Sequence, residues 1–369
     1  MPLLKDIIKP RAIKNLGLSV SESGEEIGQM VWKHLDWLLS RGYSASTINN
    51  RGIELGEFIS WLGIRGLTHP REVTSVILER YRQHLCHRRK ANGQNLSAKT
   101  QNLRLIAVRI FFKWLVKTQR LSYNPASELE LIKTGHPLPR HVLTLKEAEA
   151  IMNQVNLSSP MGLRDRAILE TLYSTGIRRS ELAHLKVYEL NIEEGTLIIR
   201  KGKGEKDRVV PIGERAIAWI EKYLNELRPK LVTYYHDQSD YDKRRSRSKS
   251  GSEADMDIDN DRDRDRDALF VTRKGKALAI NYLGGVVSEY VRKAKIGKTG
   301  SCHLFRHTMA TLMLEGGADI RYIQEMLGHE KLETTQIYTR VSIKKLKEVH
   351  KKTHPAANLK RKNKNVNKQ

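Results

Sequence analysis

Lys133-Thr-Gly-His-Pro-Leu-Pro-Arg140 sets two prolines and a glycine within eight residues, which no helix or sheet runs through. It divides a 369-residue chain into two parts of different character, so two domains are expected. Upstream the periodicity is only helical. Ile27, Met30, Val31, Leu35, Leu38 and Leu39 recur at three- and four-residue spacing, and Gly42 closes the segment. A second helix is expected from about Ala45, capped by Ser44 or Ser46, with Ile48, Leu55, Ile59 and Leu62 inward. A third follows Thr74 with Val76, Ile77, Tyr81 and Leu85. A fourth runs from Ser97 to about Lys117, with Leu103, Ile106, Ala107, Ile110, Trp114 and Leu115 on one stripe. Trp32, Trp37, Trp61, Phe111, Phe112 and Trp114 read as core. The expectation is a mixed leader (1–24), a four-helix domain (25–133) and a linker (134–142).

Downstream, residues 143–355 mix helix and strand. Thr144-Leu-Lys-Glu147 is a capping box opening a helix with Ala148, Ile151, Met152 and Val155. Leu163 to Tyr173 is a strongly apolar helix leading into Thr175-Gly176. Thr196–Arg200 and Arg208–Ile212 are short strands around a basic, glycine-bearing tip, Lys201-Gly-Lys-Gly-Glu-Lys206. Helices are expected over Ala216–Leu227 and Ile280–Lys293, and a short strand at Leu269-Phe-Val-Thr. Between them, residues 236–267 hold almost no hydrophobes and read as a disordered surface insertion. Residues 356–369 form a basic tail.

The chain carries 66 Lys+Arg against 42 Asp+Glu, a formal net charge of +24. Such an excess attracts a polyanion in a salt-sensitive way, and a nucleic-acid backbone is the expected partner. On the fourth helix Lys99, Arg104, Arg109 and Lys113 are expected to face outward, where they reach a groove or its phosphates. Two distant cysteines, Cys86 and Cys302, imply no disulfide framework and no Cys-rich zinc site. There is no signal-peptide core and no long apolar run, so a bacterial cytoplasmic protein with no membrane segment is expected.

The chemistry concentrates between Ser301 and Arg340. This stretch holds His303, Arg306, His307, His329 and Tyr338. His303 and Arg306 are three apart and share a helix face. Leu327-Gly328-His329 reads as a helix ending at a glycine. A phosphodiester under attack builds negative charge on its non-bridging oxygens, and planar guanidinium groups match that geometry at any working pH. A tyrosine hydroxyl, with a pKa of about 10, needs a base such as histidine to attack at neutral pH. The histidines do not read as metal ligands: the glutamate of His-Glu-x-x-His is missing, and Arg306 would repel a dication. The glycine-lysine tip is not a nucleotide-binding loop, since the Gly-x-x-x-x-Gly-Lys-Ser/Thr spacing is absent.

His-x-x-Arg, then Leu-Gly-His, then Tyr resembles the tyrosine recombinase (phage integrase) family, in particular its Xer-type members. Ser174-Thr-Gly-Ile-Arg-Arg-Ser-Glu-Leu182 is similar to that family's first-arginine box. Leu197-Ile-Ile-Arg-Lys-Gly-Lys-Gly-Glu-Lys-Asp-Arg-Val-Val-Pro211 is similar to its lysine hairpin. The resemblance implies a mainly α fold with a small β-sheet: a four-helix SAM-like core-binding domain and a mixed α/β catalytic domain. It places Arg178, Lys203, His303, Arg306, His329 and Tyr338 in catalytic positions and Glu181 in support of Arg178. Residues alone leave Lys201, Lys203 and Lys206 as equal candidates on the tip; the family alignment picks Lys203, and Lys201 and Lys206 are then expected to bind DNA. It implies a 3′-phosphotyrosine intermediate on a specific double-stranded DNA site, with no cofactor and no metal. It also implies a tetramer on DNA that exchanges its C-terminal helix (342–352), and a possible partner recombinase. Two other readings share parts of the pattern: a type IB topoisomerase-like relaxing enzyme, and a DNA-binding protein without catalysis.

Overall fold

The computed structural model describes residues 7–8, 26–134, 141–200, 207–233, 266–329 and 335. They fall into two compact units, Met1–His136 and Pro137–Gln369. The mainly helical class with one small sheet is the one expected.

Among the described residues the first unit holds four α-helices of more than one turn: α1 (Ile27–Ser40), α2 (Ala45–Gly63), α3 (Ser75–His87) and α4 (Ala98–Lys117). The last three start where a hydroxyl can cap them. Ser44 accepts from Thr47 N–H, Thr74 from Ile77 and Ser97 from Thr100. Phe58, Tyr81, Phe111 and Phe112 are fully buried, and Phe58 meets Tyr81 edge-on with centroids 4.8 Å apart. Each such ring contributes on the order of 2 kcal/mol of burial. Ile8, from the segment set apart as a leader, is buried against the same core, close to Gly52 on α2.

The phase of α4 differs from the expected stripe. Leu105, Val108, Phe111, Phe112 and Leu115 are its wholly buried large side chains, whereas Leu103 is 45% exposed and Ile110 37%. The large rings at 111 and 112 turn that edge of the helix inward and swing 103 and 110 out. Arg104 goes the other way from expectation. Its side chain is 15% exposed and lies 3.8 Å from Glu57, a carboxylate that also pairs with Arg88. Lys99, Arg109 and Lys113 are exposed.

The second unit holds α5 (Leu145–Met152), α6 (Gly162–Thr175), α7 (Arg179–His184), α8 (Glu214–Glu226), α9 (Ile280–Lys293), α10 (Cys302–Glu315) and α11 (Ile320–Leu327). Its three-stranded antiparallel sheet runs β1 (Leu190–Asn191), β2 (Thr196–Ile199), β3 (Arg208–Pro211), with Ile199 opposite Arg208. The Thr144–Glu147 box opens α5, as expected. Helix α6 packs against α8 and α10 and is buried nearly all round. Its interior charges are paired: Arg164 with Asp165, and Glu170 with both Arg166 and Arg215. Leu269-Phe-Val-Thr makes no strand. Leu269 N–H binds the Leu185 carbonyl, and Val271 takes Tyr223 Oη on its N–H and Arg164 on its carbonyl, so one loop carbonyl and two side chains satisfy a backbone that a neighbouring strand would otherwise pair. Ala268 and Val271 form only isolated bridges. Residues 236–265 of the expected insertion, and the tail, lie outside the described residues. Among the described residues no helix is long and apolar enough to cross a membrane.

Candidate active site

Among the described residues of the second unit, two helices end on left-handed glycines. Helix α6 ends at Gly176 (φ 60°) and α11 at Gly328 (φ 61°). Such a turn leaves the last carbonyls of a helix without helical partners, with partial negative charge on them. Two guanidinium groups occupy these carbonyls. Arg306, on α10 and 4% exposed, donates from Nη1 to Gly176 O at 2.7 Å and from Nη2 to Leu327 O at 2.6 Å. Arg178, one residue before α7, donates from Nη2 to Gly328 O at 2.8 Å. One turn, Leu327–Gly328, therefore holds both arginines.

Glu181 fixes Arg178 from the other side. Its carboxylate accepts the Arg178 backbone N–H at 2.7 Å and Nη1 at 2.8 Å. Helix α7 spans only six residues, and the anion at its start is this internal carboxylate. Burial alone would raise the Glu181 pKa. Hydrogen bonds and charge from Arg208 and Arg178 overcome that and hold it at about 2.

His329 follows Gly328. Its Nε2 lies 3.0 Å from Arg306 Nη2 and its Nδ1 2.9 Å from Thr335 Oγ1, while Gln324 Nε2 donates to its carbonyl at 2.9 Å. Burial, then the charges of Arg306, Arg178 and Arg208, lower its pKa to about 4. His303 stands exposed on the first turn of α10. Partial desolvation, then Arg306, Arg179 and Arg178, hold its pKa below the usual 6.5. Burial, then His303 and Arg306, take His307 to about 4. All three rings are thus held neutral at pH 7. Among the described residues no three His, Cys, Asp or Glu side chains gather as a metal site would require.

Of the residues singled out from the sequence, Arg178, Glu181, Arg306 and His329 form one connected set. His303 shares the electrostatic field of its arginines. Lys201, Lys203, Lys206, Tyr338 and helix 342–352 lie outside the described residues. Sequence reasoning passed over Arg208, which binds both oxygens of Glu181, and Thr335. A signal for Arg208 existed. In a strand, residues two apart share a face, and Arg208 stands two before the inward Val210. An inward arginine demands an acid.

The model of the phage integrase family matches residues 141–345, and that of the phage integrase N-terminal SAM-like domain matches residues 31–119. The chain is 44% identical over 323 residues to tyrosine recombinase XerC 2 of Ralstonia nicotianae, covering 88% of this chain and 84% of that protein. It is 33% identical to tyrosine recombinase XerD of Listeria monocytogenes, covering 87% and 96%. Among solved structures, a XerH site-specific recombinase bound to a palindromic difH substrate superposes with a TM-score of 0.63 at 23% identity, covering 92% of this chain and 93% of that one. A lambda integrase dimer bound to a COC′ core site superposes at 0.59 and 15% identity, covering 84% and 97%. At these identities the two structures speak to the fold.

Proposed function

The chain belongs to the phage integrase family and is a site-specific DNA recombinase of the Xer type, and on that footing we propose how its residues divide the work of exchanging a strand. The observation that carries the proposal is the docking of Arg178 and Arg306 on one glycine turn beside His329. Two fixed forks of N–H donors, one chain position apart at their anchors, suit the non-bridging oxygens of a single phosphate.

The phenol oxygen of Tyr338 attacks the scissile phosphorus. A tyrosine-oxygen-to-phosphorus bond forms at the 3′ end, and the bond to the 5′ oxygen breaks. His303 takes the phenol proton; as a neutral ring at pH 7 it is in the accepting form. Lys203 gives a proton to the departing 5′ oxygen. Arg178 and Arg306 stabilise the charge that grows on the phosphate, and Glu181 positions Arg178. A 5′ hydroxyl from another strand then reverses the step. The phosphotyrosine keeps the bond energy, so the scheme calls for no ATP and no metal. Exchange of four strands calls for four protomers, with helix 342–352 passed between neighbours, or two of this chain with two of a partner recombinase. Lys99, Arg109, Lys113, Lys201 and Lys206 supply phosphate contacts along the duplex.

A duplex selected from a random pool by its affinity for the Tyr338→Phe protein supplies the test. Nicked beside the scissile phosphate, it should trap wild-type protein as a denaturant-resistant adduct and leave Tyr338→Phe untrapped. A tightly bound duplex that yields no adduct would leave only DNA binding. One protomer per cleaved duplex, with no paired assembly, would favour a relaxing enzyme.

A further inference from the structure

We propose that Arg208 is a positioning residue of the cleavage step, which locks Glu181 against Arg178 and supplies the positive charge that Glu181 would otherwise cancel beside the phosphate. The inference rests on the recombinase reading above. Arg208 opens β3, opposite Ile199 on β2, two residues after Lys206 in the sequence. Its side chain spends every arm. Nη1 and Nη2 donate to Glu181 Oε1 and Oε2 at 2.9 and 2.8 Å, and Nε donates to Met326 O at 3.0 Å. One guanidinium thus ties β3 to α7 and to the last turn of α11, the elements that carry Glu181 and the arginine-holding turn.

Charge gives the reason for a second arginine. Glu181 bonded to Arg178 alone would make a neutral pair, and a neutral pair draws a phosphate weakly. With Arg208 on the same carboxylate the triad keeps one net positive charge, and Arg178 keeps its attraction for the anion. Burial of such a triad is weak evidence that it serves fold stability. The three side chains are only 19%, 4% and 11% exposed, and buried triads of this kind are commonly replaced by apolar residues without loss of stability. The turn leaves room for the arrangement as well: a Cβ on Gly328 would stand 3.1 Å from the Arg208 guanidinium.

The test compares two versions of the selected nicked duplex, one with the natural scissile phosphate and one with a methylphosphonate, which lacks the negative charge the triad serves. Each protein preparation is assayed on both, so the ratio of rates is independent of how much protein is folded. Arg208→Gln should slow single-turnover cleavage of the phosphate roughly 10- to 100-fold and of the methylphosphonate by less than about threefold, with DNA binding retained. Arg208→Lys, which keeps the charge and loses the fork, should recover part of the rate. Equal losses on both substrates, a wild-type rate in Arg208→Gln, or Arg208→Lys no better than Arg208→Gln would overturn the proposal. Failure of the wild-type protein to form any adduct would instead overturn the reading beneath it.

Discussion

Arg306 donates from Nη2 to Nε2 of His329 across 3.0 Å. A guanidinium has no acceptor, so Nε2 is the bare nitrogen of a neutral ring and the proton sits on Nδ1. The Nδ1–H donates a hydrogen bond to Thr335 Oγ1, 2.9 Å away. In this state His329 has no proton to offer a phosphate. A phosphate that draws on Arg306 releases Nε2 and favours a second proton on the ring.

His329 should therefore titrate at about 4 without DNA, and higher once a phosphate occupies the arginines. Nitrogen NMR of labelled histidines reads both the titration and the tautomer. A ring protonated on Nε2 at pH 7 in the DNA-free protein would contradict the assignment. Thr335→Val removes the acceptor of the Nδ1 proton, and the cleavage rate should fall on the order of 10-fold.

Arg306→Lys keeps a charge and loses the fork. The donors of an ammonium radiate from one nitrogen and lack the planar spread with which Nη1 and Nη2 reach Gly176 O and Leu327 O. Cleavage should fall by about 100- to 1,000-fold with DNA affinity nearly unchanged, measured by adduct formation and band shift in parallel. A variant that cleaves at the wild-type rate would show that the phosphate lies elsewhere.

The fold class and most helices were legible because local rules and packing agree. Ser44, Thr74, Ser97 and Thr144 mark starts that hold in the structure. The phase of α4 was not legible, since Leu103 and Ile110 fit a helical stripe as well as Leu105 and Val108 do, and only the bulk at Phe111 and Phe112 decides. The inward turn of Arg104 depends on Glu57, 47 positions away, and nothing local announces it. Of the site, the motif residues stood out by type and spacing. What holds them did not, because the holders are mostly carbonyls of Gly176, Leu327 and Gly328, and a carbonyl has no letter in the sequence.

Gly176 should resist substitution. Its φ of 60° costs a residue with a Cβ about 1–2 kcal/mol. The added carbon would also stand 2.2 Å from Cε of Met309. Gly176→Ala should destabilise the protein by roughly 1–3 kcal/mol and displace the carbonyl under Arg306. Because the overlap is with a side-chain tip, Gly176→Ala with Met309→Ala should cost less than the two losses added. Urea melts of the four proteins read the coupling, and strict additivity would mean that the methionine moves aside without cost.

His34 gives the first unit a sensitivity to acid. The ring is fully buried among Trp37, Phe111 and Trp114, at centroid distances of 6.1, 5.7 and 5.0 Å. Neither of its nitrogens has a hydrogen-bond partner among the described residues. Burial, then the charge of Arg51, lowers its pKa from 6.5 to about 4. The unfolded chain thus takes up the proton at a pH where the native ring refuses it. The contribution of the neutral ring to stability is whole above pH 6.5, shrinks as pH falls through that value, and is lost below about 4. At about 1.4 kcal/mol per pH unit, the wild-type protein should lose about 2 kcal/mol relative to His34→Leu between pH 7 and 5. His307 and His329 act in the same direction but are present in both proteins, so the difference isolates His34. Urea melts followed by tryptophan fluorescence report mainly on this unit, which holds Trp32, Trp37, Trp61 and Trp114, against Trp219 in the other. Parallel pH profiles for the two proteins would mean that the native ring takes up its proton as readily as the unfolded one.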